Sequence, residues 1–143
     1  MPKLEIVSHA ESQTEALAKK LAASFMPGDV LILKGELGSG KTTFVRALVA
    51  ARGIDEHLVS SPSYSFVNEY GGEPPLFHLD LYRIADTSEL TEIGWEDYLA
   101  REGIMMVEWG ERAEELLPSR YYLIEFMIVD DDERTINISL VTA

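Results

Sequence analysis

The stretch Val30-Leu31-Ile32-Leu33-Lys34-Gly35-Glu36-Leu37-Gly38-Ser39-Gly40-Lys41-Thr42 decides how this chain is read. Val30 to Leu33 is a short apolar run, the mark of a strand buried on both faces. Gly35 to Thr42 matches the pattern G-x-x-x-x-G-K-[ST], and Lys41 to Ala51 carries helical periodicity through Phe44 and Leu48, ending near Gly53. Strand, glycine-rich turn and helix, in that order, form the context in which this pattern cradles phosphate. The glycines let the backbone curl so that successive N–H groups face one anion. The helix that follows adds the partial positive charge of its N-terminus. Lys41 is then placed to bridge β- and γ-phosphates, and the Thr42 hydroxyl to ligate Mg²⁺. A plain strand–turn–helix with a surface lysine is the competing reading.

Working outward, Ser12 and Glu15 stand at capping-box spacing. Leu17, Leu21 and Phe25 recur every four residues, which predicts a helix from about Gln13 to Ser24, closed by Pro27-Gly28. Downstream, Tyr64 to Tyr70 alternates as a strand does, Gly71-Gly72 turns the chain, and Leu76 to Leu81 returns as a second strand, a hairpin. Glu89 to Leu99 reads as helical with an interruption at Gly94. Ile104 to Val107 is a third buried strand, and a short helix from Glu111 to Leu117 stops before Pro118. Tyr121 to Val129 and Thr135 to Val141 flank the acidic loop Asp130 to Glu133 as a second hairpin. With no repeat, low-complexity tract or linker, the expectation is a single α/β domain over residues 1–143. Its fold is expected to be three-layered and phosphate-loop NTPase-like, with a mixed sheet.

Composition agrees. The chain has 143 residues, 46% of them apolar and 26% charged, an ordinary globular balance that argues against disorder. The absence of cysteine excludes disulfides, thiolate zinc sites and thiol catalysis. With 25 acidic and 12 basic residues the formal net charge is −13, so most of the surface repels nucleic acid and anionic membrane. If RNA is involved at all, a partner holds it. No basic, then apolar, leader opens the chain, and no apolar run approaches the ~20 residues that span a bilayer. The expected setting is soluble and cytoplasmic, with no membrane partner.

A phosphate loop needs an acidic residue at the end of a neighbouring strand to hold the metal or its water. Leu76-Phe77-His78-Leu79-Asp80 and Ile104-Met105-Met106-Val107-Glu108 both qualify. Glu108 is favoured as the closer metal partner because its strand is wholly apolar and reads as more central. Asp80 then acts directly or through water, or orients the attacking water. Either carboxylate is otherwise only a polar residue where a strand meets solvent. His78 lies one strand period from Asp80 and should face the same side; it reads as a hydrogen-bonded packing residue, with a catalytic role as the alternative. Arg83 is a candidate for neutralising transition-state charge or for a structural salt bridge. Trp109 either packs at the rim, stacks in the cleft or faces a partner. Guanine recognition needs an N-K-x-D strand end, and neither Asn68 nor Asn137 is followed by lysine, so ATP is preferred to GTP.

These pieces together resemble the bacterial TsaE (YjeE) ATPases of tRNA threonylcarbamoyladenosine synthesis. The likeness runs over nearly the whole chain. It is carried by Thr14 in the N-terminal helix, Gly35 to Thr43, Ser61-Pro62-Ser63-Tyr64 and Val67-Asn68-Glu69-Tyr70. It continues through His78-Leu79-Asp80-Leu81-Tyr82-Arg83, Glu92-Ile93-Gly94 and Val107-Glu108-Trp109. The phosphate loop is generic, but H-x-D-x-Y-R with V-E-W at this spacing is specific. The resemblance implies bound Mg-ATP and a nucleotide site of Glu11, Thr14, Gly38, Ser39, Gly40, Lys41, Thr42, Thr43 and Arg134. It implies catalysis by Lys41, Asp80 and Glu108, and Mg²⁺ on Thr42, Glu108 and Asp80. It further implies a switch or partner surface of Ser63, Tyr82, Arg83 and Trp109. Ser63 stands where the family usually has threonine, and it keeps the hydroxyl. Weak ATPase activity alone, stimulated by a complex of the proteins TsaB and TsaD, is implied in the same way.

Two rivals use the same loop. A small-molecule kinase needs an acceptor pocket and a lid with arginines, for which Arg112 and Arg120 are the candidates. A nucleotide-binding scaffold needs occupancy without turnover.

Overall fold

The computed structural model describes residues 4–36, 38–55 and 67–142. In chain order the elements are β1 (Leu4–Ser8), α1 (Glu11–Ala22), β2 (Val30–Gly35), α2 (Lys41–Ala51), β3 (Val67–Tyr70) and β4 (Leu76–Asp80). They continue with α3 (Thr87–Ile93), α4 (Trp95–Ala100), β5 (Ile104–Glu108), a 3-10 helix (Gly110–Leu116), β6 (Arg120–Ile128) and β7 (Arg134–Thr142). All seven strands join one sheet in the order β1-β7-β6-β2-β5-β4-β3. The central four, β6, β2, β5 and β4, run parallel, and β1, β7 and β3 add antiparallel partners at the two sides. The mixed α/β sheet expected from the alternation of helices and apolar strands is thus the observed architecture.

The Val30–Leu33 run is buried along its length because both faces of β2 are covered. Alternation sends Leu31 and Leu33 into a core shared with Ala18, Ala22, Phe44, Leu48, Met106 and Phe126, on the side of α1 and α2. Val30 and Ile32 enter a second core with Phe77, Leu79, Trp95, Met105, Val107 and Ala113, on the side of α3, α4 and the 3-10 helix. Gly110, at the start of that 3-10 helix, lies so close to β2 that a Cβ there would stand 2.7 Å from Ile32 Cγ2. Gly110→Ala is therefore expected to overpack the second core and lower stability by about 1–3 kcal/mol, read as a fall in the urea midpoint. An unchanged midpoint means that the 3-10 helix shifts without cost.

Three readings of the sequence are corrected. The capping box does not form: α1 starts at Glu11, its N-cap is Ala10, and no side chain caps it. Instead the Ser8 hydroxyl donates to the Ala10 carbonyl (2.8 Å) and the His9 N–H to Gln13 Oε1 (2.7 Å). The buried stripe of α1 is Thr14, Ala18 and Ala22, with Leu17 and Leu21 only at its margin; small residues face inward where α1 packs on α2. Strand β1 was not foreseen, because it is a five-residue edge strand in which only Ser8 is buried. The interruption expected at Gly94 within Glu89 to Leu99 is found: α3 and α4 meet there, and the left-handed backbone of Gly94 (φ +89°) ends one and starts the next. Of the strand expected from Tyr64, the part before Val67 lies outside the described residues.

Candidate functional site

Gly40 ends the glycine-rich loop with a left-handed backbone (φ +110°, ψ +4°), which a side chain would strain, and serves as N-cap of α2 without offering a cap. The first α-helical bond is Phe44 N–H to the Gly40 carbonyl (2.9 Å), and the first turn of α2 carries no acidic residue. A helix that begins this way has N–H groups with no intrahelical acceptor, directed to whatever lies before it. What lies there is a cleft of about 1350 Å³. Its lining includes Gly38, Gly40, Lys41, Thr42 and Thr43 from the loop and α2, with Asp80 and Glu108 from the strand ends.

Sheet register supplies the carboxylates. Leu33 of β2 pairs with Glu108 of β5, and Glu108 with Asp80 of β4, so β5 and β4 end in one row beside Leu33. Residues in such a row share a face. Leu33 faces the α1–α2 core, so both carboxylates stand on the side of α2 and its lysine. Glu108 is on the strand next to β2 and Asp80 one strand further out, the relative centrality expected from their flanking residues.

The Lys41 ammonium lies 3.4 Å from Glu108 Oε1, and His78 Nε2 lies 2.7 Å from Glu108 Oε2. Burial works to raise the pKa of the Glu108 carboxyl. The His78 hydrogen bond and attraction, with the Lys41 ammonium behind them, hold it below the ordinary carboxylate value, so Glu108 is an anion at neutral pH. Asp80 is buried and accepts a hydrogen bond from the Tyr82 N–H (2.9 Å). His78 is buried to 3% exposure and lines the same cleft as Asp80, as strand parity predicted. The metal expected from the sequence fits these donors. An ionised carboxylate, a second carboxylate in register with it and an exposed threonine hydroxyl at the start of α2 form the hard-oxygen set that Mg²⁺ takes alongside phosphate.

Also in the cleft lining, Glu11 accepts a hydrogen bond from the Thr43 hydroxyl (2.8 Å), joining α1 to α2 beside the loop. Thr14 is buried, shares a 2.8 Å hydrogen bond with the Ser8 hydroxyl, and still contributes to the lining. Arg134, at the start of β7, donates to the Gly38 carbonyl from Nη2 (3.1 Å) and to the Asp130 carbonyl from Nη1 (2.6 Å). It thereby ties the β6–β7 hairpin to the glycine-rich loop. Ser39 is buried beneath the loop and does not line the cleft. Tyr82 and Trp109 meet at the rim with ring centroids 5.0 Å apart. Trp109 takes a left-handed backbone (φ +62°), rare for an aromatic residue and strained by roughly 1–2 kcal/mol. That turn carries the chain out of β5 and brings the indole to the cleft. Arg83 is exposed and is not among the residues that line the cleft. Ser63 lies outside the described residues.

Of the two arginines considered for a kinase lid, one lies away from the cleft and the other beside its rim. Arg120 pairs with Asp29 (3.2 Å), before β2 begins and so at the opposite end of the strands from the loop. Arg112 stacks over Trp109 (5.8 Å to the ring centroid). Sequence reasoning missed the rim formed by Glu36, Glu111, Asp131 and Asp132. These are ordinary surface acids in sequence, and only the folding of the hairpin toward the loop gathers them. It also missed the bond between His78 and Glu108, which are 30 positions apart.

A family model described as "Threonylcarbamoyl adenosine biosynthesis protein TsaE" matches residues 8–136. A tRNA threonylcarbamoyladenosine biosynthesis protein TsaE from Bacillus subtilis is 42% identical over 130 residues, covering 90% of this chain and 80% of that protein. The namesake from Treponema pallidum is 30% identical over 136 residues, covering 95% and 100%. Among solved structures, the crystal structure of Bacillus subtilis YdiB superposes with a TM-score of 0.79 at 34% identity, covering 99% of this chain and 86% of that one. With the family model spanning the glycine-rich loop and both carboxylate strands, and relatives aligned almost end to end, this chain belongs to the TsaE family.

Proposed function

We propose that the protein binds Mg-ATP in this cleft and hydrolyses it, and that this supports formation of threonylcarbamoyladenosine in tRNA through a complex of TsaB and TsaD. One observation carries the reading: Glu108 and Asp80 end neighbouring parallel strands in register, and the lysine of the glycine-rich loop lies against the first of them. Such an arrangement suits a triphosphate. The amides at the start of α2 receive phosphate oxygens, and Lys41 exchanges Glu108 for the β- and γ-phosphates. Thr42 and Glu108 would hold Mg²⁺, which when bound neutralises charge on the phosphate oxygens. Asp80 orients water for attack on the γ-phosphorus, the bond to ADP breaks, and the phosphate leaves with the water oxygen. Arg134 braces the loop through Gly38 while the nucleotide is held. Tyr82 and Trp109, exposed at the rim, are suited to transmit the state of the cleft to a partner. The acidic surface supports a role on a protein complex rather than direct grip on tRNA.

The test is phosphate release from ATP by the native protein and by Asp80→Asn, each alone and with the TsaB–TsaD complex. Native activity should be low alone and rise with the complex, with no acceptor needed. Asparagine keeps an acceptor for the Tyr82 N–H but loses the charge, so turnover should fall by roughly 10²–10⁴-fold while ATP binding stays within a few-fold. If Asp80→Asn still sustains many cycles of tRNA modification, occupancy rather than hydrolysis is the function. A requirement for a small-molecule acceptor would make the protein a kinase.

A further inference from the structure

His78 occupies a position that packing alone does not explain. In the sheet row formed by Leu31, Met106 and His78, the first two side chains are apolar and fully buried. The histidine brings two ring nitrogens into that layer. Nε2 bonds Glu108 Oε2 at 2.7 Å, while Nδ1 is buried with no hydrogen-bond partner among the described residues. A histidine kept for structure would tie down backbone groups. Among the described residues, this one makes its single side-chain hydrogen bond to a cleft carboxylate and has no partner for its other nitrogen. Because Glu108 Oε2 is engaged, Oε1 alone is turned to Lys41. A carboxylate on a flexible side chain has many rotamers, and one held at a single oxygen has few.

We propose that His78 is a positioning residue for Glu108: its Nε2–H holds Oε2 and leaves Oε1 as the one oxygen exchanged between Lys41 and a divalent cation that arrives with nucleotide. The inference rests on the functional reading above and extends it to a residue behind the site. Groups that orient a metal-binding side chain typically change metal affinity about 10–100-fold when removed. They leave contacts of the ligand's other groups intact.

The experiment compares native protein with His78→Gln, whose amide nitrogen reaches as far as Nε2, and with His78→Asn and His78→Leu, which do not supply that donor. ATP binding is measured by calorimetry in EDTA and then across a Mg²⁺ titration, with thermal unfolding followed in parallel. His78→Asn and His78→Leu should raise the Mg²⁺ concentration for half-maximal tightening about tenfold or more. Metal-free ATP affinity should stay within about twofold, and His78→Gln should restore most of the Mg²⁺ response. Should His78→Leu not fold, the contrast between Gln and Asn decides alone. Equal Mg²⁺ dependence in Gln, Asn and native protein overturns the inference, as does a parallel loss of metal-free and metal-bound affinity. If the native protein binds ATP with no Mg²⁺ dependence, the functional reading falls first and the inference with it.

Discussion

Lys41→Ala is expected to remove ATP binding from the calorimetric range and to cut phosphate release by roughly 10³-fold or more, the scale set by loss of a cation on a transferring phosphoryl group. The substitution acts twice. It deletes the ammonium that bridges the phosphates. It also strips Glu108 of a neighbour 3.4 Å away, leaving an anion held ionised by His78 in the space a triphosphate must share. The fold should survive, because Lys41 opens α2 and its side chain reaches into the cleft rather than the core. An unchanged unfolding curve with lost binding is the expected pair of results. A native-like Kd for ATP in this variant would remove the basis for assigning nucleotide to the cleft.

Phe44→Ala should be the most damaging single change to stability near the site. Phe44 is fully buried one turn into α2, and its ring meets Phe126 of β6 edge-on, with centroids 5.5 Å apart. Phenylalanine-to-alanine truncations in cores cost about 3–5 kcal/mol, a large part of the roughly 5–15 kcal/mol that holds a domain folded. The midpoint of thermal unfolding should drop by roughly 10 °C or more. The loss is not confined to stability. Phe126 also sits under the loop, its carbonyl only 2.7 Å from where a Cβ on Gly35 would be, so a cavity beside it loosens the seat of the glycine-rich loop. ATP affinity should weaken even below the new unfolding midpoint. A variant that unfolds within a degree or two of the native protein would mean that α2 is held by the other core residues alone.

Much of this was legible in the residues themselves. The apolar run before Gly35, the glycine spacing and the helical period after Lys41 are local patterns, and each element formed where its pattern lay. Asp80 and Glu108 were both marked by apolar runs ending in an acid, and His78 by its parity with Asp80. The misreadings were also local in origin. Ser12 and Glu15 had the right spacing for a cap, but β1 delivers the chain to α1 from an edge strand, and Ala10 became the N-cap. Leu17 and Leu21 had the larger side chains, but close approach to α2 favoured Thr14, Ala18 and Ala22 on the inner face.

Period, turn chemistry and charge depend on residues a few positions apart, so the sequence by itself determined the strand–loop–helix, the α/β class, the acidic surface and the resemblance to one family. Lateral order in a sheet depends on which distant strands bury each other's faces. Only the tertiary structure therefore decided that β5 lies between β2 and β4, and that Glu108 stands between Lys41 and His78. It likewise decided that a hairpin beginning some 80 residues after the loop reaches back to it through Arg134. Those neighbours are chosen by burial and register across the whole chain, and no window along it contains them.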